Sequence, residues 1–312
     1  MAPPGAFRLF LAFLVLVSHA SRFDIGHFAV LLFFLLSGYW VRRIYRSEFG
    51  ERRWLTFYVS RWLRVAPLYY IVALLAAVIR GYPIGWDTFT IFGVASHDHD
   101  PTGVSWSLDV ELQFYVLAPL LFALAPRRIL FALATAILCA FGWWLKIRFQ
   151  IETAFAYLPM FAIGSLIAET GWRPGRKQAL ASAAGFVAVT GLIVLIPATA
   201  AFIDKTRPHP FDLDLFSMLW TLPLLPYVAA SLGTRSSALD RDVGNWSYPL
   251  YLVHYPLIAI FVAHGHSKWI GVALAPVVAL ALYYGPDRFF EHLRRNFIQG
   301  AWKPAPPATA KT

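Results

Sequence analysis

Long apolar runs separated by short polar stretches dominate the chain, and the length of these runs predicts its fold. A membrane-spanning helix needs about 20 mostly apolar residues. We therefore expect an all-α, polytopic membrane protein with about ten transmembrane helices in one domain, 1–296, followed by a disordered cytoplasmic tail, 297–312. The ten runs lie near 7–20, 26–41, 65–80, 111–125, 129–145, 154–168, 179–201, 214–232, 246–264 and 269–285.

The composition agrees with a membrane protein. Of the 312 residues 58% are hydrophobic and only 14% are charged, whereas about a quarter of the residues are charged in soluble domains. A chain this apolar cannot cover its own surface with polar side chains. The single cysteine, Cys139, excludes an intrachain disulfide framework and a cysteine-rich metal site.

The positions of lysine and arginine predict the orientation, because short cytoplasmic loops accumulate both residues. If both termini are cytoplasmic, 20 of the 27 basic residues fall on the inner side. We therefore expect both termini inside, and we attribute the net charge of +10 to topology rather than to nucleic-acid binding. The seven outer residues are Arg22, Arg80, Lys146, Arg148, Lys205, Arg207 and Lys268.

The first apolar run, RLFLAFLVLVSHASR, has the ingredients of a cleavable signal peptide: one positive charge, an apolar stretch and small residues near a possible cleavage site. Cleavage would leave nine spans and break the alternation of charge, so we expect the segment to be retained. Arg8 then lies at the inner end of the first helix and His19 near its outer end. Eleven residues separate them, which is about 16 Å and three turns, so they share a face.

Charged residues near the ends of later segments suggest chemistry. Arg61 and Arg64 are three residues apart and share a helix face, where they can grip a phosphate or merely anchor the helix at the interface. Glu111 is expected at the outer mouth of the fourth helix, level with His19. A carboxylate there can orient the imidazole and raise its basicity, as a general base requires.

Aromatic and polar residues accompany these charges. Trp106 and Tyr115 can frame a sugar or belong to an interfacial aromatic belt. In the ninth segment Ser247, Tyr248, Tyr251 and His254 form a polar stripe, which can line a site or bind helices together.

The remaining histidines are weaker candidates. SHDHD, 96–100, can ligate a metal or form a solvated loop, and we expect the loop. His27, His209 and His292 offer no constellation in the sequence, and no metal site is expected.

Five blocks in order along the chain resemble those of the membrane-bound acyltransferase-3 family, which O-acylates bacterial cell-surface carbohydrates and other acceptors. One departure is Leu9, because a glycine usually follows the family's arginine. The blocks are Arg8 with His19, Phe33 to Gly38 (FFxLSG), Phe57 to Pro67 with Arg61 and Arg64, Trp106 to Tyr115 with Glu111, and Ser247 to Pro256 with Tyr248 and His254.

The resemblance implies transfer of an acyl group, usually acetyl, from cytoplasmic acyl-CoA across the bacterial inner membrane to a carbohydrate or lipid-linked sugar. His19 would deprotonate the acceptor hydroxyl or carry the acyl group itself. Acylation of a lipid or small molecule such as a macrolide remains an alternative, as does a transporter or flippase. The roles expected are catalysis for His19 and Glu111, CoA binding for Arg8, Arg61 and Arg64, and substrate binding for Trp106, Tyr115, Tyr248 and His254.

Overall fold

The computed structural model describes residues 1–49, 53–96 and 100–301, and within these ranges it is helical without a β-strand. Eight apolar helices are long enough to cross a membrane, and two more, α1 and α6, have 17 residues each. The ten are α1 (Pro4–Ala20), α2 (Gly26–Phe49), α3 (Trp54–Arg80), α4 (Trp106–Leu124), α5 (Arg128–Phe149), α6 (Ala154–Thr170), α7 (Arg176–Leu195), α8 (Leu213–Leu232), α9 (Ala238–Ala263) and α10 (Lys268–Gly300).

The expected all-α, multi-pass membrane fold is confirmed. Large apolar side chains cover the outside of the bundle; Val78, Ile129 and Leu195 are each 77% exposed. Apolar surface of this extent would be unfavourable in water but matches the hydrocarbon of a bilayer. The chain is therefore an integral membrane protein.

Several helices begin earlier than the apolar runs predicted. α3 begins at Trp54 instead of 65, α4 at Trp106 instead of 111, and α9 at Ala238 instead of 246. In each case polar residues that interrupt the apolar run are still helical, because they face other helices rather than lipid. At the other end of the chain the last helix continues to Ala301, so residues 297–301 are helical. The rest of the expected tail lies outside the described residues.

Helix α2 is the centre of the bundle: 72% of its most apolar segment is buried, against 11% for α7. It packs directly on α6 through glycines. A Cβ atom on Gly164 would lie 1.9 Å from the carbonyl oxygen of Leu35, and one on Gly38 would lie 2.1 Å from that of Phe161. Such backbone contact between membrane helices requires small residues. It holds the FFxLSG block of α2 rigidly in the core.

Helices α1 and α9 run parallel and in contact along their length. At their first turns a Cβ atom on Gly244 would lie 2.7 Å from the Cα atom of Gly5. Towards their far ends His19 and His254 approach to hydrogen-bond distance. Both helices begin at the end of the bundle that the charge distribution assigns to the cytoplasm (the inner end) and finish towards the opposite, outer end.

Candidate active site

A cavity of about 400 Å³ opens among α1, α2, α3, α4, α9 and α10. Its wall brings together six of the predicted site residues: Arg8, Arg61, Arg64, Glu111, Tyr115 and Tyr248. We call it the arginine cavity, because six arginines line it against two glutamates. The arginines are Arg8, Arg61, Arg64, Arg241, Arg294 and Arg295, and the glutamates are Glu111 and Glu291.

Arg8 is held in the wall by the way α1 begins. The first N–H groups of a helix lack intrahelical partners, and here the Asp240 carboxylate of α9 accepts from Gly5 N at 3.1 Å and from Ala6 N at 2.8 Å. The first turn of α1 is thus fixed to α9, and Arg8 follows one turn later. Within the described part of the chain Arg8 has no hydrogen bond or salt bridge, so its guanidinium is available to the cavity.

Arg61 and Arg64 share a face of α3, and both reach the cavity. Arg64 Nη1 lies 3.3 Å from Asp287 Oδ1, and its guanidinium lies 5.5 Å from the ring centroid of Tyr248. Arg61 is only 6% exposed, and its Nε has no hydrogen-bond partner among the described residues. Arg61 therefore carries buried positive charge with an unused donor.

The other cavity cations are better compensated. Arg294 donates to Glu291 through Nε at 2.9 Å and Nη2 at 2.7 Å, and Arg295 donates to the same carboxylate at 2.9 Å. Arg294 also reaches Ser60 Oγ of α3 at 3.0 Å. Glu291 therefore serves two arginines at once, and the cavity as a whole keeps an excess of positive charge.

The expected pairing of Glu111 with His19 is wrong. Because α4 begins at Trp106, Glu111 lies five residues inside the helix, about 7.5 Å from its start. Its Oε1 accepts from Ser37 Oγ at 2.6 Å and from Tyr115 Oη at 2.5 Å. Glu111 therefore belongs to the wall of the arginine cavity and is held there by the FFxLSG block.

His19 is paired instead with His254. The Nδ1 atom of His254 lies 2.7 Å from the carbonyl oxygen of Tyr251 and 3.2 Å from that of Leu250. Carbonyl oxygens only accept, so this nitrogen carries the proton and the Nε2 of a neutral His254 is an acceptor. That Nε2 lies 3.1 Å from His19 Nδ1.

The proton of a neutral His19 lies on Nδ1, because both partners of that nitrogen are acceptors. Its Nδ1 also lies 3.0 Å from the carbonyl oxygen of Val15, so Nδ1 donates to two acceptors and Nε2 keeps its lone pair. An imidazole with an unprotonated Nε2 can act as a general base or as a nucleophile.

His254 was expected to bind substrate, and its burial argues against that role. The residue is 0% exposed and lies outside the cavity wall. Tyr251, one turn earlier, does line the cavity, and its hydroxyl lies 2.7 Å from Ser107 Oγ. The far wall of the cavity is thus about one helical turn, roughly 5 Å, from the histidine pair.

Trp106 lies away from the cavity wall and stacks on His27, with ring centroids 5.5 Å apart and planes inclined by 24°.

His27, for which the sequence suggested no partner residues, belongs to a cluster of ionisable side chains in the structure. Its Nδ1 lies 2.6 Å from Asp214 Oδ1. We call His27, Lys146, Glu152, Tyr157 and Asp214 the outer cluster. A signal for it was available: Lys146 and Asp214 are charges next to apolar runs, where ionisable residues are costly.

No group of three or more potential metal ligands occurs among the described residues. His97 and His99 of the SHDHD stretch lie outside them. Asp100 uses its carboxylate locally and accepts from Thr102 N at 2.9 Å and Ser105 N at 2.6 Å.

Comparison with known proteins identifies the family of the chain. A family model described as an acyltransferase domain matches residues 3–286, nearly the whole chain. The chain belongs to the acyltransferase-3 family. The match includes the histidine pair and the cavity residues up to Tyr251, so this membrane protein is an acyltransferase.

Three curated relatives are similar in sequence. Nodulation protein 10 of Rhizobium leguminosarum bv. viciae is 28% identical over 85% of this chain and 84% of its own length. The acyltransferase MdmB of Streptomyces mycarofaciens is 29% identical over 83% and 76%. The putative membrane-bound transacylase BcsY of Komagataeibacter xylinus is 25% identical over 59% and 50%. No solved structure matches.

Proposed function

We propose that this acyltransferase takes an acyl group from cytoplasmic acyl-CoA and transfers it to a hydroxyl of a cell-surface or exopolysaccharide sugar at the bacterial inner membrane. Acetyl is the acyl group that we expect. The observation that carries the proposal is the continuity of two features. A cationic cavity lies at the inner end, and Tyr251 in its wall is one helical turn before His254, which pairs with the His19 imidazole.

The arginine cavity suits an anionic donor. Guanidinium groups bind phosphate with several hydrogen bonds in fixed geometry, and Arg8 and Arg61 have no salt bridge within the described chain. A cavity of about 400 Å³ is of the size that holds part of CoA rather than all of it. The diphosphate would lie against the arginines and the pantetheine arm would extend towards Tyr251.

The transfer needs one base. The acceptor hydroxyl gives its proton to His19 Nε2 while its oxygen forms a bond with the thioester carbonyl carbon. The carbon–sulfur bond then breaks, and the CoA thiolate takes the proton back from His19. His254 acts as a positioning residue that keeps the proton of His19 on Nδ1. In an alternative order His19 Nε2 attacks the thioester carbon first and CoA leaves as the thiolate. The acceptor hydroxyl then attacks the acyl-imidazole, the carbon–nitrogen bond breaks, and the hydroxyl proton passes through Nε2 to the CoA thiolate.

Glu111 has a place in this scheme other than beside His19. With Ser37 and Tyr115 it puts a negative charge in the same wall as Arg8. We propose that it orients Arg8 towards the diphosphate of the donor and holds Tyr115 in the cavity wall. A lipid or small-molecule acceptor would leave the donor side of this scheme unchanged.

The test is deletion of the gene in its native host, followed by NMR comparison of acetyl signals in exopolysaccharide and lipopolysaccharide. Complementation with the wild type should restore a lost signal, and His19→Ala should not, because general-base help is worth about 10²–10⁴-fold. His264→Ala, an exposed histidine at the end of α9, is the matched control. Equal membrane levels of all variants must be verified by immunoblotting. Full complementation by His19→Ala would overturn the proposal.

A further inference from the structure

The outer cluster is not used in the transfer just described, although it is well ordered by contacts from four helices. Asp214 of α8 receives three donors. His27 Nδ1 of α2 lies 2.6 Å from Oδ1, while Lys146 Nζ of α5 and Tyr157 Oη of α6 lie 2.6 and 2.8 Å from Oδ2. Both oxygens of this buried carboxylate are therefore satisfied, and the imidazole of His27 is fixed in orientation.

The remaining edge of His27 is open. With Nδ1 committed to Asp214, only Nε2 is left for a ligand, and the side chain is 36% exposed. No hydrogen bond of Nε2 occurs among the described residues. A hydroxyl group both donates and accepts, so it can pair with this nitrogen whichever proton state the ring has.

His27 lies close to His19. The last turn of α1 meets the first turn of α2 where a Cβ atom on Gly26 would lie 3.0 Å from Ser18 Oγ. The two histidines are each the next residue after this contact. They therefore start from adjacent points of the two helices at the outer end.

The segment before α4 packs against both histidine groups. Trp106 stacks on the ring of His27, and Gly103 touches the ring of Tyr255, which lies 5.0 Å from the ring of His19. One short stretch of chain therefore contacts His27 directly and His19 through the ring of Tyr255, which places the two imidazoles on the same side of the bundle.

The charges of the outer cluster disfavour an anionic ligand. Lys146 is surrounded by three carboxylates, at 3.1 Å from Glu152, 3.4 Å from Asp212 and 2.6 Å from Asp214. Even a protonated His27 leaves no excess of positive charge there. An anion would be repelled, whereas an uncharged polyol would not.

We infer that His27, oriented by Asp214, binds a second hydroxyl of the acceptor while His19 acts on the first. The acceptor is thus a neutral compound with neighbouring hydroxyls, as a sugar ring provides. This inference rests on the proposed function, whose acceptor it describes. His27 is a binding residue, and Asp214, Lys146 and Tyr157 position it.

Binding can be measured without any acyl transfer. Saturation-transfer difference NMR with methyl glucopyranoside on the purified full-length protein should show binding that weakens about 3- to 10-fold in His27→Ala, the loss of one hydrogen bond. His27→Gln, which keeps a donor and an acceptor in place, should recover part of it, and His264→Ala should leave it unchanged. Equal binding by His27→Ala and the wild type, or absence of binding by the wild type, would overturn the inference.

A second measurement uses transfer. With acetyl-CoA as donor, the wild type should prefer methyl glucopyranoside to cyclohexanol, which offers a single hydroxyl, and His27→Ala should lose most of that preference. His264→Ala, outside both sites, should keep the preference of the wild type. If no acetyl transfer occurs while the glycoside still binds through His27, the proposed function fails and the sugar site stands. Transfer with an unchanged preference in His27→Ala overturns the site and leaves the proposed function intact.

Discussion

The arginine cavity and the outer cluster differ in how their charges are compensated. In the cavity six arginines meet two glutamates, and neither Arg8 nor Arg61 has a salt bridge within the described chain. In the outer cluster Lys146 faces three carboxylates within 3.4 Å, and both oxygens of Asp214 have donors. A buried charge without a partner is costly. The excess of positive charge in the arginine cavity therefore indicates a function that requires it.

The difference points to two kinds of ligand. Cationic surplus can be neutralised only by an anion from outside the protein, which fits phosphate groups entering from the inner end. The outer cluster, with three carboxylates around one lysine, repels an anion and offers hydrogen bonds instead, which fits an uncharged acceptor at the outer end. The histidine pair lies between the two regions and carries little charge of its own.

The largest effect is expected from breaking the compensation of the outer cluster. Lys146→Met would leave Asp214 and Glu152 without their cation, and removing one partner of a buried ion pair costs about 3–5 kcal/mol. The melting temperature of the purified protein in detergent, read by fluorescence-detected size exclusion, should fall by several degrees. Lys268→Met, an exposed lysine at the start of α10, is the matched control. An unchanged melting temperature for Lys146→Met would show that the cluster does not depend on its cation.

The sequence predicts the fold well because lipid is a uniform solvent. Composition alone therefore predicts a helix wherever a segment is long and apolar enough to cross the bilayer. Each of the ten expected runs corresponds to a helix. The pairing of Arg61 with Arg64 is equally local, since three residues bring two side chains to one helix face.

Contacts between distant helices are not readable in this way. His27 and Asp214 are 187 residues apart, and His19 and His254 are 235 apart. Whether the polar faces of two helices meet depends on how the helices pack, and the residue pattern of one helix does not predict this packing. The misplacement of Glu111 has a smaller cause: an error of five residues at the start of α4 moved it from the mouth of the bundle into the cavity wall.

A smaller effect is expected from removing one positive charge of the arginine cavity. This substitution tests whether the excess of positive charge binds the donor. Arg8→Gln keeps a polar side chain but shortens it and removes its charge-assisted hydrogen bonds, worth about 1.5–3 kcal/mol. kcat/KM for acetyl-CoA should fall about 10- to 100-fold through KM, while KM for the acceptor stays constant. Arg22→Gln, on the exposed outer loop, should change neither value. A loss confined to the acceptor KM would contradict the assignment of donor and acceptor to opposite ends.

The smallest effect is expected at the boundary between the two regions. His254→Phe keeps the buried ring but removes the acceptor for His19 Nδ1, which then retains only the Val15 carbonyl oxygen at 3.0 Å. One neutral hydrogen bond is worth about 0.5–1.5 kcal/mol, so kcat should fall up to about tenfold while KM for donor and acceptor stays constant. His254→Gln, which offers an amide oxygen, should recover part of kcat. Tyr255→Phe, whose ring also packs on His19, should match the wild type. A drop in His254→Phe as deep as in His19→Ala would mean that His254 contacts the reacting atoms and is more than a positioning residue.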